Sequence, residues 1–210
     1  MALANNAEEF IARQRVALAS NPECGSTHYN LGVALMGLKR YEEAETEFNE
    51  AIACSPNLAE AYVQLGSIFL QRGDVESCLY WNQRSVKARA GFAPGYGNIG
   101  FLQLQQGNVE EAVKALQKAI VFNSKFIQAF VTLSTAYLML GLVDESIEAS
   151  RQALEIEPDF PIAFNNLAVA YLEKGDVSAA DENAKKALSL GYEVAPQLLK
   201  DIENALAAKA

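Results

Sequence analysis

IQAFVTLSTAYLMLGLVDESIEASRQALEIEPDF, residues 127–160, is the stretch that decides the fold. Phe130, Leu133, Tyr137 and Leu140 fall at i, i+3, i+7 and i+10, one face of a helix. Gly141 ends that helix, because glycine enters the left-handed region without a steric cost. A second helix follows with Ile147, Ala153, Leu154 and Ile156, and Pro158 stops it. The unit is therefore two short helices joined by a tight turn.

The same unit recurs along the chain. Asn30-Leu31-Gly32 is followed at steps of 34 residues by Gln64-Leu65-Gly66, Asn98-Ile99-Gly100, Thr132-Leu133-Ser134 and Asn166-Leu167-Ala168. A second series keeps the step: Ala17, Ala51, Ser85, Ala119, Ala153 and Ala187. A third marks the turn: Gly73, Gly107, Gly141 and Gly175, with Lys39 in the first copy. Small residues at a fixed place let two helix backbones approach closely. A fixed period in this range is the signature of a repeat array, in which each copy buries its apolar face against its neighbours.

These residues resemble the tetratricopeptide repeat, a 34-residue helix–turn–helix with the pattern W-x2-L-G-x2-Y, then A-x3-F, then P. Residues 25–58 supply Leu31, Gly32, Ala44, Phe48, Ala51 and Pro56, with His28 in place of tryptophan and Leu35 in place of tyrosine. Residues 59–92 supply Tyr62, Leu65, Gly66 and Phe69, and depart in their second half at Cys78, Asn82, Ser85 and Ala90. Residues 93–126 give Tyr96, Ile99, Gly100, Ala112, Leu116 and Ala119. Residues 127–160 give Phe130, Leu133, Tyr137, Ala153 and Pro158. Residues 161–194 give Phe164, Leu167, Tyr171, Ala180 and Ala187, without a closing proline. The resemblance implies an all-α fold, a right-handed α-solenoid of five tandem repeats. Residues 1–24 then form an N-terminal half-repeat or capping helix, with Ala17 and Pro22 in phase with a second helix and the half-repeat helix over 7–20. Residues 195–210 form a C-terminal capping helix opened by Ala195-Pro196, with Leu198, Leu199, Ile202 and Leu206 on one face.

Composition excludes several classes of function. The formal net charge of -9 repels phosphate backbones, and no basic stripe with interleaved aromatics is present, so nucleic acid is not an expected partner. The start, MALANNAEE, lacks the basic and apolar segments of a signal peptide. No apolar run is long enough for a membrane span. Cys24, Cys54 and Cys78 are odd in number and form no CxxC pair, which suits a reducing cytoplasm rather than a disulfide framework or zinc site. His28 is the single histidine, so His-pair metal sites are ruled out by counting, and it is expected to pack in the core. Cys78 stands at a helix–helix contact as a small hydrophobe. Glu42-Glu43 and Glu110-Glu111 open second helices, where carboxylates suit the positive helix N-terminus. The expectation is a chain with no enzymatic activity and no cofactor or metal.

Function then lies on a surface. The resemblance implies a concave groove lined by the first helix of each repeat. Its fifth residues are Tyr29, Val63, Gly97, Val131 and Asn165; its sixth are Asn30, Gln64, Asn98, Thr132 and Asn166. Its ninth are Val33, Ser67, Phe101, Thr135 and Val169; its twelfth are Met36, Leu70, Leu104, Leu138 and Leu172. None is Lys or Arg, which excludes the cationic clamp with which some arrays hold the acidic tails of heat-shock chaperones. The sixth-position amides are similar to the asparagine ladder in the repeat domain of O-GlcNAc transferase, whose catalytic domain has no counterpart here. An amide offers the donor and the acceptor that a peptide unit needs. The alternative is that these amides only cap or solvate the groove. The expected partner is a protein or peptide segment, extended or helical. A second candidate interface is Tyr80, Trp81, Arg84 and Lys87, residue types enriched in hot spots, against ordinary packing of Trp81 between helices. Self-association into a homo-oligomer, through the array's ends or the Trp81 patch, is the alternative function.

Overall fold

A computed structural model describes the backbone of residues 2–208, with side chains from residue 6. Among the described residues there are twelve helices and no strand. They are α1 (Ala2–Ser20), α2 (Gly25–Gly37), α3 (Tyr41–Cys54), α4 (Ala59–Gln71), α5 (Val75–Ala88) and α6 (Ala93–Gln105). Then follow α7 (Val109–Phe122), α8 (Ile127–Met139), α9 (Val143–Ile156), α10 (Pro161–Lys174), α11 (Val177–Ser189) and α12 (Pro196–Ala207). The chain forms two compact units, residues 1–99 and 100–210. In the first, α1 packs on α2, α2 on α3, α3 on α4 and α4 on α5. In the second, contacts run in order from α7 to α12, and α8 also touches α10.

The turns explain why the period survives sequence change. At the end of each first helix one backbone bond is repeated at a 34-residue step. Arg40, Asp74, Asn108, Leu142 and Asp176 each donate N–H to the carbonyl five residues earlier, at 2.9 Å. This is the longer bond of a Schellman ending, and it needs a left-handed residue just before the donor. Gly73, Gly107, Gly141 and Gly175 supply it. Lys39 supplies it in the first copy at φ 60, bearing a Cβ penalty that glycine avoids. Second helices end alike: Ser55, Arg89, Asn123 and Glu157 each donate N–H back to the small residue of the second series. Their backbone is extended whether or not proline follows, so Pro56 and Pro158 reinforce a stop that Ala90 and Ser124 do without.

Packing within each pair follows a rule of sizes between the eighth and twenty-fourth residues. Gly32 faces Phe48, Gly66 faces Asn82 and Gly100 faces Leu116. A Cβ on these glycines would lie 2.7, 2.7 and 2.5 Å from the facing side chain. Where the eighth residue grows, its partner shrinks. Ser134 meets Ser146 and Ser150 at 2.8 and 2.7 Å in a buried hydroxyl cluster, and Ala168 shares a core with Ala184. Interiors packed to crystal-like density require this compensation.

The first unit's core gathers Ile11, Leu31, Leu35, Phe48, Leu65 and Ile68. α1 therefore joins through Ile11, helped by Arg15 on Glu43 and Arg40 on Glu8. α1 begins at Ala2, earlier than the expected start at residue 7. Ala17 keeps its register, since Asn21 donates N–H to its carbonyl at 2.9 Å, but unlike Ala51 and Ala119 it is exposed. No first helix covers that face of α1 among the described residues. In the second unit Ile202 of α12 is buried, with Leu198 and Leu199 packed beside it, while Leu206 stays exposed.

Candidate functional site: the faces of the first helices

In the first unit, α2 and α4 present the expected groove positions. Asn30 and Val33 are exposed, Val33 at 42%, and Leu70 is exposed at 39%. Tyr29 is half-buried, its ring 5.9 Å from that of Phe48. Val63 and Gln64 are half-buried, and Met36 packs onto the core. Ser67 donates its hydroxyl to the carbonyl of Val63. Asn98, in the middle of α6, donates its amide to Oδ1 of Asn82 at 2.9 Å, and Gly97 is buried.

In the second unit, Phe101 is exposed at 42% and Leu104 is half-buried. Val131 is buried among the side chains of Phe130 and Ala163. Thr132 and Thr135 turn their hydroxyls back onto the carbonyls of Gln128 and Val131. Leu138 and Leu172 pack on neighbouring helices; Asn165 and Val169 are half-buried. Asn166 is buried, and its Nδ2 donates to the Val131 carbonyl at 3.0 Å and to Thr135 Oγ1 at 3.3 Å.

Part of the amide rail is engaged within the protein. Asn98 donates to Asn82 on α5 and Asn166 donates twice to α8, so both strap one helix to another, and Thr132 spends its hydroxyl within its own helix. An amide at a close helix–helix approach finds a backbone carbonyl before it finds a ligand, since a buried donor left unpaired costs about 1–3 kcal/mol. Among the described residues, nothing forms a hydrogen bond with the side chains of Asn30 and Gln64. Val131 is likewise withdrawn from the surface.

What remains is a segregation of charge that the sequence shows once the helices are placed. α2 and α8 hold no Asp, Glu, Lys or Arg, α4 holds Glu60, and α10 holds Glu173 and Lys174 in its final turn. Second helices carry the charge instead, as in α3 with five glutamates and in α9. Glu60 is tied to Arg89 at 2.6 Å.

The other candidates resolve by geometry. Trp81 lies 6.1 Å from Tyr62, 6.4 Å from Phe69 and 5.2 Å from Tyr80, and packs on the first unit's core. Tyr80, Arg84 and Lys87 are exposed beside it. His28 is not an apolar core residue. Its Nδ1 is 2.7 Å from Glu47 Oε2 and its Nε2 is 2.9 Å from the Pro22 carbonyl. Both neighbours accept only, so the ring satisfies both at once only when it is protonated. Burial by itself lowers its pKa, but the Glu47 bond, the Pro22 carbonyl and the charges of Glu47 and Glu50 together raise it. Hydroxyls of Ser26 and Thr27 lower the Cys24 thiol to about 7. Burial raises that of Cys78. All three cysteines are free. No group of three or more His, Cys, Asp or Glu side chains gathers as a metal site among the described residues. No helix among them is long and apolar enough to cross a membrane.

Comparison with known proteins agrees with this architecture. Residues 25–58, and separately 93–125 and 162–190, match models described as tetratricopeptide repeat, and residues 135–175 match one described as TPR repeat. The TPR repeat-containing thioredoxin TTL4 of Arabidopsis thaliana is 35% identical over 72 residues, which are 34% of this chain and 11% of that protein. The chain thus spans about a tenth of the length of that curated relative. The crystal structure of MamA is similar at TM-score 0.67 and 25% identity, covering 77% of this chain and 94% of that one. The structure of YrrB, a TPR protein with an unusual peptide-binding site, is similar at TM-score 0.70 and 20% identity, covering 93% and 97%. Pseudomonas aeruginosa pilF is similar at TM-score 0.74 and 16% identity, covering 89% of each chain. These likenesses share the all-α solenoid class of tandem helix–turn–helix repeats. The chain belongs to the tetratricopeptide repeat family, whose arrays mediate protein–protein interaction.

Proposed function

We propose that the chain is a non-enzymatic scaffold that holds a neutral segment of a partner protein against the faces of its first helices. The observation that carries this reading is the lack of Asp, Glu, Lys and Arg in the first helices α2, α6 and α8, while the second helices α3 and α9 are densely charged. In the first unit Val33 and Leu70 offer exposed apolar anchors on the helices that carry Asn30 and Gln64; in the second, Phe101 is exposed. The peptide-binding site named for YrrB supports the same reading through a shared fold. A neutral face on a chain of charge -9 disfavours nucleic acid as the partner. Three free thiols support a cytoplasmic setting.

Peptides selected by display on the full chain test it. Their Kd is expected to change less than about threefold between low and high salt, because screening acts on charge. Val33→Glu and Leu70→Glu are expected to weaken binding at least about tenfold, since a carboxylate then faces an apolar ligand. A Kd that rises tenfold with salt, or indifference to both substitutions, refutes the reading.

A second reading rests on α1, where Phe10, Val16 and Ala17 are exposed on one helix. This face supports self-association. Light scattering over a range of concentrations distinguishes it: a strict monomer removes it.

A further inference from the structure

The turn between α8 and α9 departs from its four counterparts. The corresponding positions in the other repeats hold Gly37, Leu38 and Arg40; Gln71, Arg72 and Asp74; Gln105, Gln106 and Asn108; and Glu173, Lys174 and Asp176. Here they hold Met139, Leu140 and Leu142, all three exposed, at 56, 36 and 39%. The cost to folding is visible in the caps. Asp74 and Asp176 accept the N–H of Ser77 and Ala179 and so cap α5 and α11. Leu142 stands at the same position of α9 and, like Arg40 and Asn108, gives its helix no side-chain cap. Three apolar side chains in water and a lost cap run against the stability of the repeat.

A cavity of about 390 Å³ opens alongside, between α8 and α9. Its wall includes Leu133, Tyr137 and Ala149, and Tyr137 is fixed by a hydrogen bond from Gln117 at 3.1 Å. Its rim is acidic. Asp144 is neutralised by Lys174 at 2.6 Å, but Glu145 and Glu148 have no cationic partner among the described residues. Tyr137 lies two residues before the apolar turn and Asp144 two residues after it, so turn and cavity adjoin.

We infer that the α8–α9 turn and the cavity beside it form a second docking surface, which takes a basic amphipathic segment of a partner protein. The partner sets apolar side chains on Met139, Leu140 and Leu142. It places an arginine or lysine in the cavity, over the ring of Tyr137 and between Glu145 and Glu148. Charge complementarity selects this occupant. The two carboxylates repel an acidic segment and an anionic lipid surface, and the aromatic wall favours a cation. This surface is separate from the neutral faces of the first helices. Its binding weakens with salt where theirs does not, so failure of one leaves the other standing.

The probe is a short labelled helical peptide with a leucine face and an arginine face, titrated into the full chain by fluorescence anisotropy. Its counterpart with glutamate for arginine is the control. The turn is rewritten on the α6–α7 pattern with a cap restored: Met139→Gln, Leu140→Gln and Leu142→Asp. The expected result is at least tenfold weaker binding of the arginine peptide together with a Tm raised by about 2–4 °C, as a restored cap gives. Glu145→Gln with Glu148→Gln is expected to weaken binding at least threefold and to flatten its salt dependence. The inference is overturned if the rewritten turn lowers Tm, because the apolar residues are then structural. It is also overturned if the glutamate peptide binds as well, or if the arginine peptide shows no binding up to about 1 mM.

Discussion

Gly32→Ala tests the packing rule on which the helix pairs are built. A Cβ at this position would lie 2.7 and 2.8 Å from two ring carbons of Phe48 and 3.0 Å from a third. Carbon atoms rest at about 3.5–4.0 Å, so the ring must retreat by roughly 1 Å. It has little room: Phe48 is fully buried, and the ring of Tyr29 lies 5.9 Å from its own. Overpacking of this kind costs about 1–3 kcal/mol, against a helix-propensity gain of about 1 kcal/mol for alanine over glycine. The net expectation is a loss of about 0–2 kcal/mol. Gly37→Ala, at the end of the same helix, is the control, because nothing lies within 4 Å of its Cβ. It is expected to be neutral or to gain up to about 1 kcal/mol. Phe48→Leu should cost less in the Gly32→Ala background than alone, with a coupling of about 0.5–1.5 kcal/mol. Urea unfolding followed by the fluorescence of Trp81, which sits in the same unit, reads all of these. Equal effects of Gly32→Ala and Gly37→Ala, or strict additivity with Phe48→Leu, would refute the reasoning.

Asn166→Ala removes two hydrogen bonds from a buried strap, one to the Val131 carbonyl and one to Thr135 Oγ1; hydrogen exchange and denaturation should show a loss of about 1–2 kcal/mol, and unchanged stability would contradict the strap. His28 has its pKa raised in the folded state by Glu47, the Pro22 carbonyl and Glu50, outweighing burial, so its contribution is complete below the ordinary value of 6.5 and is lost as pH rises through the folded value. Unfolding midpoints from about pH 6 to about pH 9 should fall more steeply in the parent than in His28→Gln, and parallel curves would contradict the double hydrogen bond. Cys24, whose thiol is lowered to about 7, should be alkylated by iodoacetamide first and buried Cys78 last, as peptide mass mapping will show; Thr27→Val should slow the reaction at Cys24.

The sequence carries the helices and the turns because their causes are local. Left-handed endings at Lys39, Gly73, Gly107, Gly141 and Gly175 and the small residues from Ala51 to Ala187 recur at one step, and each acts within a few residues of itself. The roles of side chains at helix–helix contacts were harder to read. Asn30, Asn98 and Asn166 share a phase but not a fate, since Asn82 and Val131 happen to offer acceptors to two of them and nothing comparable meets the third. His28 occupies an aromatic position, yet Glu47 lies nineteen residues away on the facing helix and holds its ring in a hydrogen bond. The exchange of sizes between Gly32 and Phe48, or Ser134 and Ser150, was present in the letters. It becomes legible only when the two positions are known to touch. The apolar turn at Met139, Leu140 and Leu142 stands out in the letters against the polar residues at the same places in the second, third and fifth repeats, two of which, Asp74 and Asp176, cap their helices.

Backbone hydrogen exchange with and without a display-selected neutral peptide tests the central claim most directly. The account predicts protection in α2 and α4 around Val33 and Leu70, with α3 and α5 unchanged. Protection confined to the charged second helices would contradict it.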